Sequence, residues 1–223
     1  QKIANFLSQV DRKIELLDKQ QAALEQYKKG VMQKIFNQEI RFKIKNEAVE
    51  LVEPPEWEEK KLGEICEIKT GSLDANAMNN SGRYRFYTCA KNYFYIDEYE
   101  YDCEALLISG NGANVGYIHY YKGKFNAYQR TYILFNFSEN ILFTKFFLDK
   151  NLYQRILSEK KDGNTPYIVK NTLFDMSIKL PSIREQTKIA NFLSAIDTKI
   201  EAVAKRSRSH REWKKGLLQK MFV

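Results

Sequence analysis

Apolar residues recur every seventh position at both ends of the chain, whereas the middle alternates over much shorter stretches. Near the start, Ile3, Val10, Leu17, Leu24 and Val31 form one seam, with Phe6, Leu7, Ile14, Tyr27 and Ile35 beside it. Near the end, Ile189, Ile196, Val203, His210 and Leu217 repeat the seam. A sustained seven-residue apolar repeat with charges between predicts long helices packed in coiled-coil fashion. Some 36 residues at about 1.5 Å each would reach roughly 54 Å. Polar residues weaken both seams midway, at Gln20–Gln21 and along Lys205–Arg211. The basic run is expected to be a solvated face, with phosphate or a partner subunit as the competing reading. His210 occupies the seam position matching Leu24 and is read as structural.

The two seams are copies of one another. Lys2–Ser8 recurs identically at Lys188–Ser194, and the match continues without a gap at an offset of 186 residues. Asp11, Lys13, Ile14 and Glu15 align with Asp197, Lys199, Ile200 and Glu201. Lys28, Lys29 and Gly30 align with Lys214, Lys215 and Gly216. A duplicated helix on either side of one domain predicts an antiparallel or pseudo-symmetric pair.

Between the copies, short segments rich in Tyr, Phe and Ile are punctuated by Gly and Asn, as strands and turns are. They are Arg83–Thr88, Tyr93–Ile96, Ala105–Ser109, Val115–Tyr121 and Tyr128–Phe137, followed by a helix at Ile141–Lys160. Pro54–Trp57 is expected to end the first helical region, because the residue before proline resists helical geometry. Pro181–Gln186 opens the second, with acidic Glu185 near its first turn. The expected class is α+β: a mixed α/β domain with a strongly curved sheet, flanked by two long helices. The expected domains are a long helix over 1–46, a globular domain over 47–181 and a second long helix over 182–223.

Charge sharpens this picture. The chain of 223 residues carries a formal charge of +8, which suggests an anionic partner. Residues 1–46 hold 10 basic and 5 acidic side chains, and residues 182–223 hold 10 and 4. The middle holds 16 basic and 19 acidic, so the basic excess lies in the helices. Cys66, Cys89 and Cys103 have no paired spacing, which fits a reducing cytoplasm. No apolar run is long enough to span a bilayer, so no membrane partner is expected. The chain begins at Gln1 without a Met, which is expected of a fragment or processed chain.

Enzymatic motifs fail on inspection. Ser109–Gly116 places Gly110, Gly112 and Gly116 after an apolar strand, as a nucleotide loop would, but a phosphate-cradling loop must open a helix. The following Tyr117–Tyr121 is strand-like, so this is read as a turn. His119 and His210 are far apart, and no cysteine has zinc-ligand spacing. No local base sits beside a Ser or Cys nucleophile. Pro54–Trp57 is preceded by Glu53 rather than the Asn or Asp of a DNA methyltransferase motif, and its aromatic is one place late.

The arrangement resembles the specificity subunits of type I restriction-modification systems, over essentially the whole chain. Pro54–Ile65 is similar to the entry of a target recognition domain in that family. Leu180–Asp197 is similar to the start of its conserved helical region, and Lys214–Phe222, with its twin at Lys28–Phe36, to the close. The family plan alternates two recognition domains with two conserved helices. This chain has one recognition domain between two helices, as the C-terminal half would. The resemblance implies a non-catalytic reader of one half of a bipartite site in double-stranded DNA. It also implies helices that dock modification (methyltransferase) subunits, which bind S-adenosylmethionine; restriction subunits join that complex. This chain would itself hold no cofactor and no metal, and the self-similar helices would also suit a homodimer.

Within the middle domain, 47–67 and 97–104 are strongly acidic, while 68–96 and 105–181 hold 14 basic and 6 acidic side chains. A bipolar surface is expected, with DNA on its basic side. Loop residues with suitable donors are the candidates for contact. They are Lys69, Thr70, Ser72, Lys91, Asn92, Asn111, Asn114, Gln129, Arg130, Lys160, Lys161, Asn164, Thr165 and Tyr167. Two other classes stay open: a coiled-coil scaffold whose central domain binds a protein, and an enzyme assembled only in three dimensions.

Overall fold

The computed structural model describes residues 2–45, 50–159 and 166–221. In chain order the elements are α1 (Lys2–Phe36), β1 (Ile44–Lys45), β2 (Leu51–Val52), β3 (Glu58–Lys61) and α2 (Leu62–Ile65). Then come β4 (Glu67–Thr70), β5 (Tyr84–Tyr87), β6 (Phe94–Ile96), β7 (Tyr101–Ser109), β8 (Ile118–Ala127) and β9 (Thr131–Phe135). The chain closes with α3 (Ile141–Glu159), α4 (Lys170–Phe174), β10 (Ser177–Leu180) and α5 (Ile183–Met221). Two compact units result: Gln1–Arg41 with Asn191–Val223, and Phe42–Ala190.

The first unit is an antiparallel helix pair. Val10, Ile14, Leu17, Met32 and Ile35 of α1 are buried, as are Leu193, Ile196 and Val203 of α5. Phe6 meets Trp213 edge to face at 5.7 Å. Asp18 accepts from Ser207 at 2.7 Å, and Asp197 accepts the Lys28 ammonium at 2.6 Å. Residue numbers rise along one helix as they fall along the other. Lys28–Asp197 has a counterpart in Lys214–Asp11 at 2.5 Å. At the 186-residue offset these are the same Asp–Lys contact made twice, once in each sense.

Neither expected interruption breaks a helix. α1 continues through Gln20–Gln21 and α5 through Lys205–Arg211. Ser207 is buried, and Arg211 donates to both Ser207 (2.6 Å) and Asp18 (2.5 Å). Ser207 is the buried member of this run; Lys205, Arg206, Arg208 and Arg211 are exposed, as a solvated face would be, and Arg211 reaches across to the other helix from the surface. Helix α1 ends well before Pro54. Gln38 takes a left-handed φ of 62°, Gln38 N–H donates to the Ile35 carbonyl and Glu39 N–H to the Lys34 carbonyl. That is a Schellman stop, which caps the last carbonyls without proline.

The second unit is built on a six-stranded sheet of order β4-β9-β7-β8-β5-β6, antiparallel except for β5 against β8. Its register forces a curl. Phe125 of β8 faces Tyr101, whereas Thr131 of β9 faces Ser109, at the opposite end of β7. At about 3.3 Å per residue those ends would lie roughly 26 Å apart on a flat strand. Yet β8 and β9 are joined only by Tyr128–Arg130. The strands must therefore coil, and Tyr87, Ala105, Leu107, Phe125, Ala127, Ile133 and Phe135 pack together on the inner face. Tyr101 stacks on Phe125 at 5.2 Å there. On the other face Leu106 and Ile108 are fully buried, and α3 supplies Phe143, Phe146, Leu152 and Ile156.

Strand β8 runs beyond the expected Tyr121 to Ala127, and β9 starts at Thr131 because Tyr128–Arg130 make the turn. Helix α3 ends at Glu159; Lys160 lies outside the described residues. Strands β3 and β10 pair with one another, and the four charged residues of β3 concealed it. Beside them Gln186, fully buried, donates to Glu139 (2.7 Å) and the Pro181 carbonyl (2.8 Å) and accepts from Asn140 N–H (3.0 Å). Glu139 also receives Lys60 at 3.1 Å. Removing one partner from such a network strands the others. Gln186→Leu should lower stability by about 1–3 kcal/mol, seen as a lower urea midpoint with an unchanged slope.

Candidate nucleic-acid interface

The curl gathers four connections at one rim of the sheet: 71–74, 88–93, 110–117 and 128–130. Backbone bonds knit them together. Gly71 N–H donates to the Thr131 carbonyl (3.1 Å), Gln129 N–H to that of Leu73 (2.9 Å) and Tyr128 N–H to that of Tyr87 (2.8 Å). Gly110 N–H donates to the Arg130 carbonyl at 2.9 Å, and the Cys89 thiol reaches the same oxygen at 3.3 Å. Two glycines make this closeness feasible. A Cβ on Gly71 would run into the Ala127 carbonyl, and one on Gly110 would lie 2.5 Å from the Arg130 carbonyl oxygen. The Ser109–Gly116 segment is a turn, with one 3₁₀ turn at Gly112–Asn114 before β8.

The rim brings together ten of the candidate residues. Lys69 and Thr70 end the edge strand β4, both exposed, with the Lys69 ammonium 5.3 Å from the Phe135 ring. Ser72, Asn114 and Gln129 are committed to the fold. Ser72 donates to Glu100 (2.8 Å), Asn114 to the Cys89 carbonyl (3.0 Å) and Gln129 to Asp74 (3.0 Å). Lys91, Asn92 and Arg130 are exposed and Asn111 is partly so; no side-chain hydrogen bond or ion pair engages them among the described residues. Those four keep their donors for a ligand. Tyr167 is exposed, and its neighbour Ile168 ties that segment to the rim by donating to the Gly110 carbonyl at 2.8 Å. Lys160, Lys161, Asn164 and Thr165 lie outside the described residues. The acidic run 97–104 is not held away from this edge: Glu100 is the acceptor of Ser72. The expected bipolar division is therefore incomplete.

One feature beside the rim escaped the sequence reading. On the inner face, Arg85 lies between two rings, its guanidinium carbon 4.1 Å from the Tyr93 centroid and 4.4 Å from that of Tyr121. Its Nη1 donates to the Tyr87 hydroxyl at 3.3 Å. Next to it, burial pushes the His119 imidazole below its usual range, with the Arg85 charge adding to the effect. Its Nε2 lies 2.9 Å from the Ala90 carbonyl, which can only accept, so that nitrogen is the donor. The signal available in sequence was strand alternation, which puts Arg85 on the same face as Tyr87.

Among the described residues, no group of three or more His, Cys, Asp and Glu is placed to hold a metal ion. No helix among them is long and apolar enough to cross a membrane. The arrangement offers hydrogen-bond donors and cations on a rigid edge, the equipment of a recognition surface.

Residues 54–208 match the family described as the type I restriction modification DNA specificity domain. The chain is similar to the type I restriction enzyme EcoDI specificity subunit of Escherichia coli, 39% identical over 153 residues, covering 69% of this chain and 34% of that protein. It is also similar to the MjaVIII specificity subunit of Methanocaldococcus jannaschii, 27% identical, covering 99% of this chain and 58% of that one. Among solved structures, the S subunit of a type I restriction-modification system from M. genitalium matches with a TM-score of 0.74. The two are 20% identical, and the match covers 98% of this chain and 59% of that chain. The chain thus spans between about a third and three-fifths of the length of these relatives.

The close approach at Gly110 can be tested directly. Gly110→Ala should cost about 1–3 kcal/mol by overpacking and speed amide hydrogen exchange at Ile168, whose acceptor is the Gly110 carbonyl.

Proposed function

The chain belongs to the type I restriction-modification DNA specificity family, and on that footing we propose that it reads one half of a bipartite DNA target for a methyltransferase complex. The observation that carries this reading is the rim itself: Lys91, Asn92, Asn111 and Arg130 hold uncommitted donors on an edge fixed by backbone bonds. Asn pairs bidentately with adenine and Arg with guanine, each worth roughly 1–3 kcal/mol of discrimination. Ser72, Asn114 and Gln129 hold the loops in place. Lys69, Thr70 and Tyr167 extend the contact surface, and Lys160, Lys161, Asn164 and Thr165 are further candidates for DNA contact.

In this reading 47–181 is the target recognition domain, while 1–46 and 182–223 are the segments that carry the conserved helices α1 and α5. The helices dock modification subunits, which bring S-adenosylmethionine and carry the methylation chemistry, and restriction subunits join them in the cytoplasm. The chain itself catalyses nothing. The reciprocal Asp11–Lys214 and Lys28–Asp197 contacts also support pairing of two copies through their helices. Such a pair would read two identical half-sites.

Incubation with a modification subunit and S-adenosylmethionine on a random-sequence DNA library tests the whole reading. The expected outcome is methylated adenine within a defined motif that disappears when this chain is omitted. A symmetric interrupted motif supports the paired form and an asymmetric one removes it; methylation without any motif overturns sequence reading. Arg130→Ala should then weaken binding to the motif about tenfold or more while leaving a scrambled duplex unchanged. Equal losses on both would exclude Arg130 as a base reader.

A further inference from the structure

We infer that Arg85 is a preorganised phosphate clamp, which seats the duplex backbone beside the rim while the loops read bases. This rests on the DNA-reading function proposed above and adds a residue and a chemical role to it. The rings of Tyr93 and Tyr121 approach the guanidinium at 4.1 and 4.4 Å, and Tyr87 takes one of its Nη1 hydrogens. The remaining N–H donors of the planar guanidinium are left for a ligand. That geometry suits two oxygens of a single phosphate. Fixing the side chain beforehand also removes the entropy cost that a mobile arginine meets on binding.

Its charge is unanswered. Among the described residues no carboxylate forms an ion pair with Arg85, although the protein places Glu or Asp against many of its other cations. A half-buried cation without a counter-ion is a standing attraction for an anion. Position selects which part of DNA answers it. Arg85 lies on a strand, held back between rings, whereas base edges sit at the floor of a groove about 8.5 Å deep and need a projecting side chain. Phosphates line the outside of the duplex and can come to the clamp. Tyr93 directly follows Asn92, so a backbone seated here runs past the loop that carries Lys91 and Asn92.

The test is the salt dependence of binding by the full chain, by fluorescence anisotropy on the methylated motif and on a scrambled duplex. Arg85→Ala should weaken both by the same factor, roughly tenfold, and reduce the slope of log K against log salt by about 0.9, the share of one phosphate. Arg85→Gln, which keeps the size of the side chain and loses its charge, should lose the same slope; it decides the matter if the alanine variant fails to fold. Arg85→Lys should regain the slope without the full affinity. An unchanged slope in a folded Arg85→Gln, or a loss confined to the motif, overturns the clamp alone. A wild-type chain that binds neither duplex in a salt-dependent way overturns the recognition function and the clamp with it.

Discussion

A three-residue turn between two strands that meet opposite ends of their common neighbour sets the geometry of the recognition unit. Tyr128–Arg130 must bring Ala127 to Thr131 although β8 pairs with the start of β7 at one end and β9 with its finish. Only a coiled sheet satisfies both ladders. Coiling turns Tyr87, Phe125, Ile133 and Phe135 inward into a single apolar cluster, and burial of those large side chains stabilises the coil in return. The same closure draws four loops from distant parts of the sequence into one edge. Without it, Asn114 could not reach the Cys89 carbonyl, nor Gln129 reach Asp74.

This closure explains a division among the polar loop residues. An edge of backbone and short side chains must satisfy its own hydrogen bonds before it can offer any, since unpaired buried groups are costly. Asn114 meets part of that demand at the Cys89 carbonyl, while Ser72 and Gln129 tie exposed loop residues to Glu100 and Asp74. Lys91, Asn92, Asn111 and Arg130 stand outside it. Rigidity and readiness thus come from different residues of similar type, interleaved along the same loops.

Much of this was legible in sequence. The heptads, the duplication and the aromatic and aliphatic runs within Tyr84–Tyr87, Phe94–Ile96 and Tyr101–Ser109 carry a pattern that survives in the fold. What escaped was decided by tertiary context. Glu58–Lys61 is a strand because Ser177–Leu180 pairs with it, although its four charged residues carry no strand pattern. Gln38 ends α1 through a left-handed turn that glycine usually marks. By contrast, Gln20–Gln21 leave α1 unbroken because glutamine is itself a good helix former, and Gln21 donates to Glu25 one turn on. Among the loop candidates, residue type was readable but commitment was not, because whether an Asn or Gln is already engaged depends on partners far away in sequence. Arg85 escaped for the same reason: its neighbours Tyr93 and Tyr121 come from other strands.

The reciprocal contacts of the helix pair bear on inheritance as well as on stability. Each copy carries both the acid and the base, Asp11 with Lys28 and Asp197 with Lys214, so the segment is its own complement. A gene segment of this kind, copied once, yields two partners already matched, and no later mutation is needed to make them fit. Divergence is then coupled. Exchanging acid and base within one copy sets Lys against Lys and Asp against Asp, whereas the same exchange in both restores every pair. Drift at these four positions is therefore constrained to move in concert, while the centre of the pair, where Arg211 has no basic counterpart at Glu25, has been free to specialise.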